Sequence, residues 1–157
     1  MDYQQVIENI YQEILPYAKE GKQATYIPEL AKVNPDQFGM CINTIYGESA
    51  SIESADTRFS IQSISKVFSL AMCLSIKGDE LWKRVGKEPS GTKFNSLVQL
   101  ELEQGIPRNP FLNSGAIVMA DILLSTLANP EEDFLNFVRA VSGNNTIDYN
   151  REVAASE

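Results

Sequence analysis

The stretch SISKVFSLAMCLSI at residues 63–76 decides the fold, because it is the most apolar helical segment of the chain. Apolar side chains occupy nearly every position from Val67 to Leu74, so the segment has no clearly polar face. A helix that is apolar all round is normally covered by neighbours on every side. The sequence therefore predicts that residues 63–76 form the central helix of the fold.

On the N-terminal side of this helix, the sequence predicts another helix and a hairpin. Apolar residues recur at helical spacing over Asp2–Ala18, and Asp2 with Gln5 resembles a capping pair. Residues 38–44 are apolar and predict a buried strand. A turn near Gly47 then leads to a partner strand over residues 50–52.

On the C-terminal side, a loop and further helices are predicted. Residues 84–95 are punctuated by glycine and proline and favour a loop. A helix is predicted over about residues 114–127. The next has Asn129 at its cap, Pro130 at its first position and Gly143 just beyond its end. The final residues read as the start of another helix, and we interpret the sequence as a truncated chain.

Composition and charge argue against several classes of function. The net charge is −8 and no Lys or Arg cluster occurs, which argues against a nucleic-acid partner. No apolar run is long enough to cross a bilayer, and we expect no signal peptide, because the sequence does not open with a basic segment followed by an apolar stretch. The chain has no histidine, so a Ser-His-Asp triad or a His-ligated metal site cannot form within it. An enzyme built from these residues needs Lys, Tyr, Asp or Glu as its general base.

The two cysteines, Cys41 and Cys73, lie in apolar stretches of sequence. Their spacing predicts neither a zinc site nor a redox pair. We expect both to be buried, reduced and structural, because a free cysteine behaves as a small hydrophobe. Together with the missing signal segment, this favours a cytoplasmic protein.

The local candidate for chemistry is SISK at residues 63–66. Residues three apart share a helix face, so the Lys66 amine can reach the Ser63 hydroxyl. A lysine activates a serine only where burial leaves its amine neutral, and an apolar helix provides such surroundings. The structural alternative is a capping serine beside a lysine that extends to solvent. The pattern also occurs as SGTK at residues 90–93, in a loop where the lysine should stay solvated and protonated.

Two further side chains have both a structural and a functional interpretation. Asn113 precedes an apolar helix and either caps it or donates its amide to a ligand carboxylate or carbonyl. Tyr26 is either a wedged aromatic or a phenol that serves the site. Glu157, taken alone, indicates nothing.

Four segments together resemble the serine-dependent glutaminases. They are YIPELAK at 26–32, FSIQSISKVF at 59–68, VGKEPSG with FN at 85–95, and NPFLNSGAI at 109–117. The closing SE at 156–157 fits the substrate-binding glutamate of that family. The resemblance implies an α+β fold similar to the serine β-lactamases and penicillin-binding transpeptidases. In that fold an antiparallel sheet is packed with helices around a central nucleophile helix.

The resemblance also implies an activity, the hydrolysis of L-glutamine to L-glutamate and ammonia through a γ-glutamyl-serine ester. It makes Ser63 the nucleophile and Lys66 its proton partner. Substrate contacts fall to four residues, Tyr26, Ser63, Asn113 and Glu157. The resemblance implies no cofactor and no metal, and family membership suggests a homo-oligomer, either a dimer or a tetramer.

One sequence departure and two alternatives accompany this prediction. Ser114 stands where the family usually has alanine, which should be tolerated. The family has further substrate contacts beyond the position of Glu157, so residues 1–157 are expected to be the N-terminal half of one catalytic domain and inactive alone. A penicillin-recognising hydrolase or transpeptidase is one alternative, although its Ser-Asp-Asn and Lys-Thr-Gly motifs do not occur here. A non-catalytic glutamine-binding module is the other.

Overall fold

The computed structural model describes residues 1–91, 93 and 95–157. Thr92 of the SGTK pattern and Phe94 of the FN pair lie outside the described residues. The helices and strands are α1 (Tyr3–Ile14), β1 (Gly39–Asn43), β2 (Ser49–Glu53), α2 (Ser65–Lys77), α3 (Leu97–Leu102), α4 (Asn113–Thr126), α5 (Pro130–Ser142) and α6 (Arg151–Ser156). Short 3-10 helices span Leu15–Tyr17, Leu30–Lys32, Gln62–Ile64 and Gly78–Lys83.

The chain divides into two compact units. The split unit joins residues 1–60 to residues 150–157, and the continuous unit comprises residues 61–149. Helices and an antiparallel hairpin occur together, so the chain has the predicted α+β class. Within the described ranges, every helix is too short or too polar to cross a bilayer.

The split unit is built on α1 and the hairpin. Asp2 caps α1 by accepting a hydrogen bond from the Gln5 amide at 3.0 Å, as the sequence predicts. The helix packs on both strands and buries Ile7 completely. Tyr11 of α1 stacks on Phe38, the residue before β1, with 5.2 Å between ring centroids. The contact between α1 and the hairpin therefore continues to the residue that precedes β1.

The hairpin has the predicted position but is less buried than predicted. β1 and β2 pair antiparallel, with Met40 opposite Ile52 and the turn completed by Gly47 at φ +85°. Side chains alternate across a strand, and Met40 and Ile42 are half-buried while Cys41 is exposed. The prediction that Cys41 is buried is therefore wrong, because only one face of the hairpin is covered.

Helix α6 completes the split unit from the other end of the chain. Asn150 caps it by accepting from the Val153 amide at 3.0 Å, and Val153 is buried. The Glu29 amide donates to Ser156 Oγ at 3.4 Å, which ties α6 to the segment around the 3-10 helix Leu30–Lys32. The prediction that a helix starts near the end of the sequence is confirmed.

The continuous unit has its core between α2, α4 and the 3-10 helix Gly78–Lys83. The buried cluster comprises Cys73, Leu81, Val85, Met119, Ile122 and Leu123. α2 and α4 lie close to their predicted positions, but α2 is not covered on every side. Cys73 is its one fully buried described residue, whereas Val67 is 54% exposed. The elements that pack on α2 cover the face carrying Cys73 and leave Val67 in solvent.

Signals at the ends of the other helices are only partly as predicted. α5 begins at Pro130 and ends before Gly143, which has the left-handed φ of +66°. Within the described residues, the Asn129 side chain makes no capping bond, and the Asn129 backbone N–H donates instead to Asp133 Oδ2 at 3.3 Å. The predicted loop lacks regular structure over residues 84–91, and the sequence pattern predicts no helix where α3 lies.

Candidate active site

Ser63 lies in the 3-10 turn that leads into α2 and is exposed to solvent. The turn is closed by Ser65, whose hydroxyl donates to the Gln62 carbonyl at 2.7 Å. Gln62 has φ +46°, a conformation that residues other than glycine rarely adopt. Such strain costs about 1–3 kcal/mol and is found most often at functional sites. The residue directly before the predicted nucleophile is therefore held in an unfavourable backbone conformation.

Lys66 lies in the first turn of α2, and its amine is held by two carbonyl oxygens. Nζ donates to the Phe111 backbone carbonyl at 3.0 Å and to Asn113 Oδ1 at 2.8 Å. Burial lowers the pKa of the Lys66 amine from its ordinary value of 10.5, because desolvation disfavours the charged form. Within the described part of the chain, Nζ makes no hydrogen bond to Ser63 Oγ.

Asn113 is the first residue of α4 but does not cap the helix. The N-cap is Leu112, and it makes no side-chain capping bond. The capping interpretation of Asn113 is therefore wrong, because its side-chain oxygen accepts from Lys66 instead. Side chains from two distant stretches of sequence, residues 63–66 and residue 113, meet at this bond.

Asn109 shapes the turn that presents the Phe111 carbonyl, a role that the sequence analysis missed. Its Oδ1 accepts from the amides of Phe111 at 3.0 Å and Leu112 at 3.2 Å. Its Nδ2 donates to the Glu88 carbonyl at 2.8 Å. Asparagine readily closes turns of this kind, and the Asn-Pro pair at 109–110 is a turn signal that could have identified it.

Gly115 allows α4 to start close to this turn. A Cβ at position 115 would lie 2.1 Å from the Asn109 carbonyl oxygen and 2.8 Å from Pro110 Cα. Contacts that short do not occur between real side chains and backbone, so position 115 requires glycine for the observed approach. The acceptors of Lys66 thus belong to a closely packed segment rather than to an open loop.

The other two predicted site residues belong to the split unit. Tyr26 is 78% exposed, so the interpretation as a wedged aromatic is wrong. Glu157 is also exposed and follows α6 directly. The hydrogen bond from the Glu29 amide to Ser156 Oγ ties their two segments together. The five predicted residues thus form two groups, one in each unit.

The second Ser-x-x-Lys pattern has a different environment. Ser90 Oγ donates to Gln99 Oε1 at 2.7 Å, which holds its hydroxyl against α3. Lys93 is exposed, as the sequence predicts for a lysine in this loop. In residues 63–66, by contrast, the serine is followed one turn later by a lysine whose pKa is lowered by burial.

Comparisons with known proteins identify relatives over nearly the whole chain. A sequence profile of the family described as Glutaminase matches residues 21–157. The glutaminase of Pseudoalteromonas translucida is 54% identical over 99% of this chain, which corresponds to 51% of that protein. This chain spans about half the length of the curated relatives it matches.

Solved structures of similar fold carry the same family name. The probable glutaminase YbaS is 31% identical with a TM-score of 0.89, over 98% of this chain and 50% of that chain. A probable glutaminase from Bacillus subtilis, complexed with 6-diazo-5-oxo-L-norleucine, is 26% identical with a TM-score of 0.75. That similarity covers 100% of this chain and 47% of the other.

Proposed function

This chain belongs to the glutaminase family, and on that premise we propose that it carries the nucleophile and the general base for hydrolysis of L-glutamine to L-glutamate and ammonia. The activity is proposed for a polypeptide of full family length, in which residues 1–157 form the N-terminal half of one catalytic domain. Identity of 54% and 50% to two curated glutaminases, over 99% and 100% of this chain, supports this reading over a penicillin-recognising hydrolase.

The observation that carries the mechanism is the state of Lys66. Its pKa is lowered by burial, and two neutral acceptors hold its amine one helical turn after Ser63. A serine hydroxyl is a poor nucleophile until a neighbouring base removes its proton. A lysine with a lowered pKa can be that base, because a larger fraction of its amine is uncharged near neutral pH.

The proposed reaction proceeds by acyl transfer in two steps. Ser63 Oγ bonds to the side-chain carboxamide carbon of glutamine while its proton passes to the Lys66 amine. The carbon–nitrogen bond then breaks, and the leaving ammonia takes the proton back from Lys66. Water next attacks the γ-glutamyl ester, gives a proton to Lys66, and releases glutamate as Ser63 Oγ recovers its proton. Lys66 thus acts alternately as base and acid.

Substrate contacts are proposed for the remaining predicted residues. The Glu157 carboxylate suits the α-ammonium group of glutamine, since charge-assisted hydrogen bonds between opposite charges are the stronger kind. The Asn113 amide and the Tyr26 phenol suit its carboxylate or carbonyl oxygens. The backbone N–H of Ser63 is proposed as one oxyanion donor. A cytoplasmic homo-oligomer, dimeric or tetrameric, completes the proposal.

The test uses a chimaera in which residues 1–157 are joined to the second half of the Pseudoalteromonas translucida glutaminase. Ser63→Ala should lower ammonia release from glutamine by at least about 10³-fold, since loss of a nucleophile removes most of the catalytic acceleration. Ser90→Ala, in the second Ser-x-x-Lys pattern, should leave the rate nearly unchanged. Substantial ammonia release by the Ser63→Ala chimaera would refute the nucleophile assignment.

A covalent probe separates the three candidate functions. 6-Diazo-5-oxo-L-norleucine should modify Ser63 in the chimaera, detected by mass spectrometry of the peptide that contains residues 59–68. Reversible glutamine binding without modification would favour the non-catalytic module. Acylation of Ser63 by a penicillin would favour the penicillin-recognising enzyme instead.

A further inference from the structure

The two hydrogen bonds of Lys66 have a consequence for the direction of its lone pair. An uncharged primary amine has two N–H bonds and one lone pair, arranged tetrahedrally about the nitrogen. Its partners at Phe111 O and Asn113 Oδ1 are both acceptors, at 3.0 Å and 2.8 Å. When both N–H bonds point to these oxygens, the lone pair must take the remaining direction.

We propose that Asn113 is a positioning residue for Lys66, whose Oδ1, together with the Phe111 carbonyl, engages both N–H bonds and leaves the lone pair to accept the Ser63 proton. Ser63 and Lys66 are three residues apart across the 3-10 turn and the start of α2, and such residues share a face. The proposal rests on the proposed Ser–Lys chemistry and adds a role to the substrate contact expected of Asn113.

The neutrality of both acceptors matters for this role. A carboxylate at the same distance would favour the ammonium form of Lys66 and so leave no lone pair for Ser63. A backbone carbonyl and a side-chain amide accept the same hydrogen bonds without adding a negative charge. The amide therefore orients the amine without favouring its protonation as strongly as a carboxylate would.

The orientation of the Asn113 amide follows from the same bond. Amine hydrogens require an acceptor, so Oδ1 faces Lys66 and Nδ2 is directed away from it. Asn113 is exposed, and in the described part of the chain its Nδ2 has no protein acceptor. Its two N–H groups are therefore available to a ligand oxygen, such as a carboxylate or carbonyl, and they disfavour an ammonium group. One amide would thus join substrate recognition to the orientation of the base.

The second acceptor is fixed by the packing around it. Asn109 holds the amides of Phe111 and Leu112 and is itself anchored to the Glu88 carbonyl. The close approach of Gly115 to the Asn109 carbonyl restricts the same turn. The Phe111 carbonyl is therefore a fixed acceptor, and Asn113 is the member of the pair whose chemistry a substitution can change.

NMR titration of the 157-residue protein tests this inference without requiring activity. The protein is labelled with ¹³C and ¹⁵N at lysine, and the Lys66 side-chain resonances are assigned by their loss in Lys66→Arg. Asn113→Asp should raise the pKa of Lys66 by about 1–3 units, since it places a negative charge beside the amine. Asn113→Ala should lower the pKa, because the ammonium form loses an acceptor. The matched control is Asn129→Asp, because Asn129 is also exposed and, within the described residues, its side chain makes no capping bond. This substitution should leave the pKa of Lys66 unchanged.

Opposite shifts in the two Asn113 variants support the positioning role, and backbone amide spectra show whether each variant stays folded. Unchanged titration of Lys66 in both variants, or the same shift in both, overturns it. In the chimaera, Asn113→Asp should move the acid limb of the kcat profile to higher pH by the same amount. A residue that only binds substrate would raise KM and leave that limb in place. If the proposed glutaminase function is wrong, the chimaera without substitutions should be inactive, whereas the NMR titration should be unaffected.

Discussion

Replacement of Gly115 by alanine should destabilise the continuous unit, although alanine usually favours a helix. A Cβ at this position would lie 2.1 Å from the Asn109 carbonyl oxygen, and ordinary contact starts at 3.4 Å. Backbone must therefore separate by more than 1 Å, since the nearest atoms belong to Asn109 and Pro110 and not to a flexible side chain. Neither backbone segment can move freely, because Gly115 is buried and the Asn109 side chain makes three hydrogen bonds that hold the turn in place.

Two opposing effects determine how much Gly115→Ala changes the free energy of unfolding. Alanine in place of glycine favours a helix interior by about 1 kcal/mol. Overpacking of a filled site costs about 1–3 kcal/mol, and more where backbone has to move. With the cost at the upper end, we expect a net loss of about 2 kcal/mol in the free energy of unfolding. For a chain of this length that corresponds to a decrease in Tm of about 4–8 °C.

The assay is thermal unfolding followed by circular dichroism, with Gly21→Ala as the matched control. Among the described residues, no atom lies within 4 Å of a Cβ at position 21, and the φ of Gly21 lies outside the left-handed region. The control should therefore change the free energy of unfolding by less than about 0.5 kcal/mol. Movement of the turn would also displace the Phe111 carbonyl, so the Lys66 resonances should shift in Gly115→Ala and not in Gly21→Ala.

If Gly115→Ala melts at the same temperature as Gly21→Ala or above it, the predicted clash at position 115 is refuted. Such a result would mean that α4 does not approach the Asn109–Pro110 backbone as closely as the geometry requires. An unchanged Tm with shifted Lys66 resonances would instead show that the turn gives way at little cost, which contradicts its assigned rigidity.

Three further predictions concern other groups. Iodoacetamide at pH 8 should alkylate exposed Cys41 readily and leave Cys73 unmodified, because burial raises the Cys73 pKa to about 11; equal modification in the native protein would contradict this. Lys66→Met should stabilise the protein most at low pH and progressively less as pH rises towards 10.5. The reason is that burial lowers the pKa of Lys66 in the folded state, so a protonated Lys66 reduces the free energy of unfolding of the unmodified protein. Urea unfolding at several pH values measures the difference in the free energy of unfolding between Lys66→Met and the unmodified protein. A difference that does not change with pH would contradict the prediction. Asp2→Ala should cost about 1 kcal/mol through loss of the α1 cap, with Asp2→Asn close to neutral in the same thermal assay.

Local signals in the sequence predicted the elements whose causes are local. The Asp2 cap, the turn at Gly47 and the Pro130 start of α5 each depend on residues a few positions apart. The SISK segment is a candidate site in the sequence because its serine and lysine are also close together along the chain. Helix α3 was missed because it is a single short stretch, LVQLEL, without an apolar face that repeats over several turns.

Local patterns in the sequence do not indicate features that depend on contacts between distant residues. The partners of Lys66 are 45 and 47 residues away, so nothing near position 66 indicates them. The local context of Asn113 fits a cap as well as a ligand contact, and it does not reveal that a distant amine competes for the side-chain oxygen. Cys41 was placed inside because its neighbours are apolar. Strict alternation along β1 would have placed it on the face opposite Met40 and Ile42.

The division of the chain into a continuous and a split unit bears on the order in which the protein forms during synthesis. Residues 61–149 form one continuous unit, whereas the first sixty residues cannot close on α6 until residue 156 has been made. That closure spans a loop of 127 residues, and its entropic cost grows only with the logarithm of loop length. During synthesis, the continuous unit is therefore complete in sequence while the split unit still lacks its last segment, and we expect proteolysis of stalled nascent chains to cleave the N-terminal portion first.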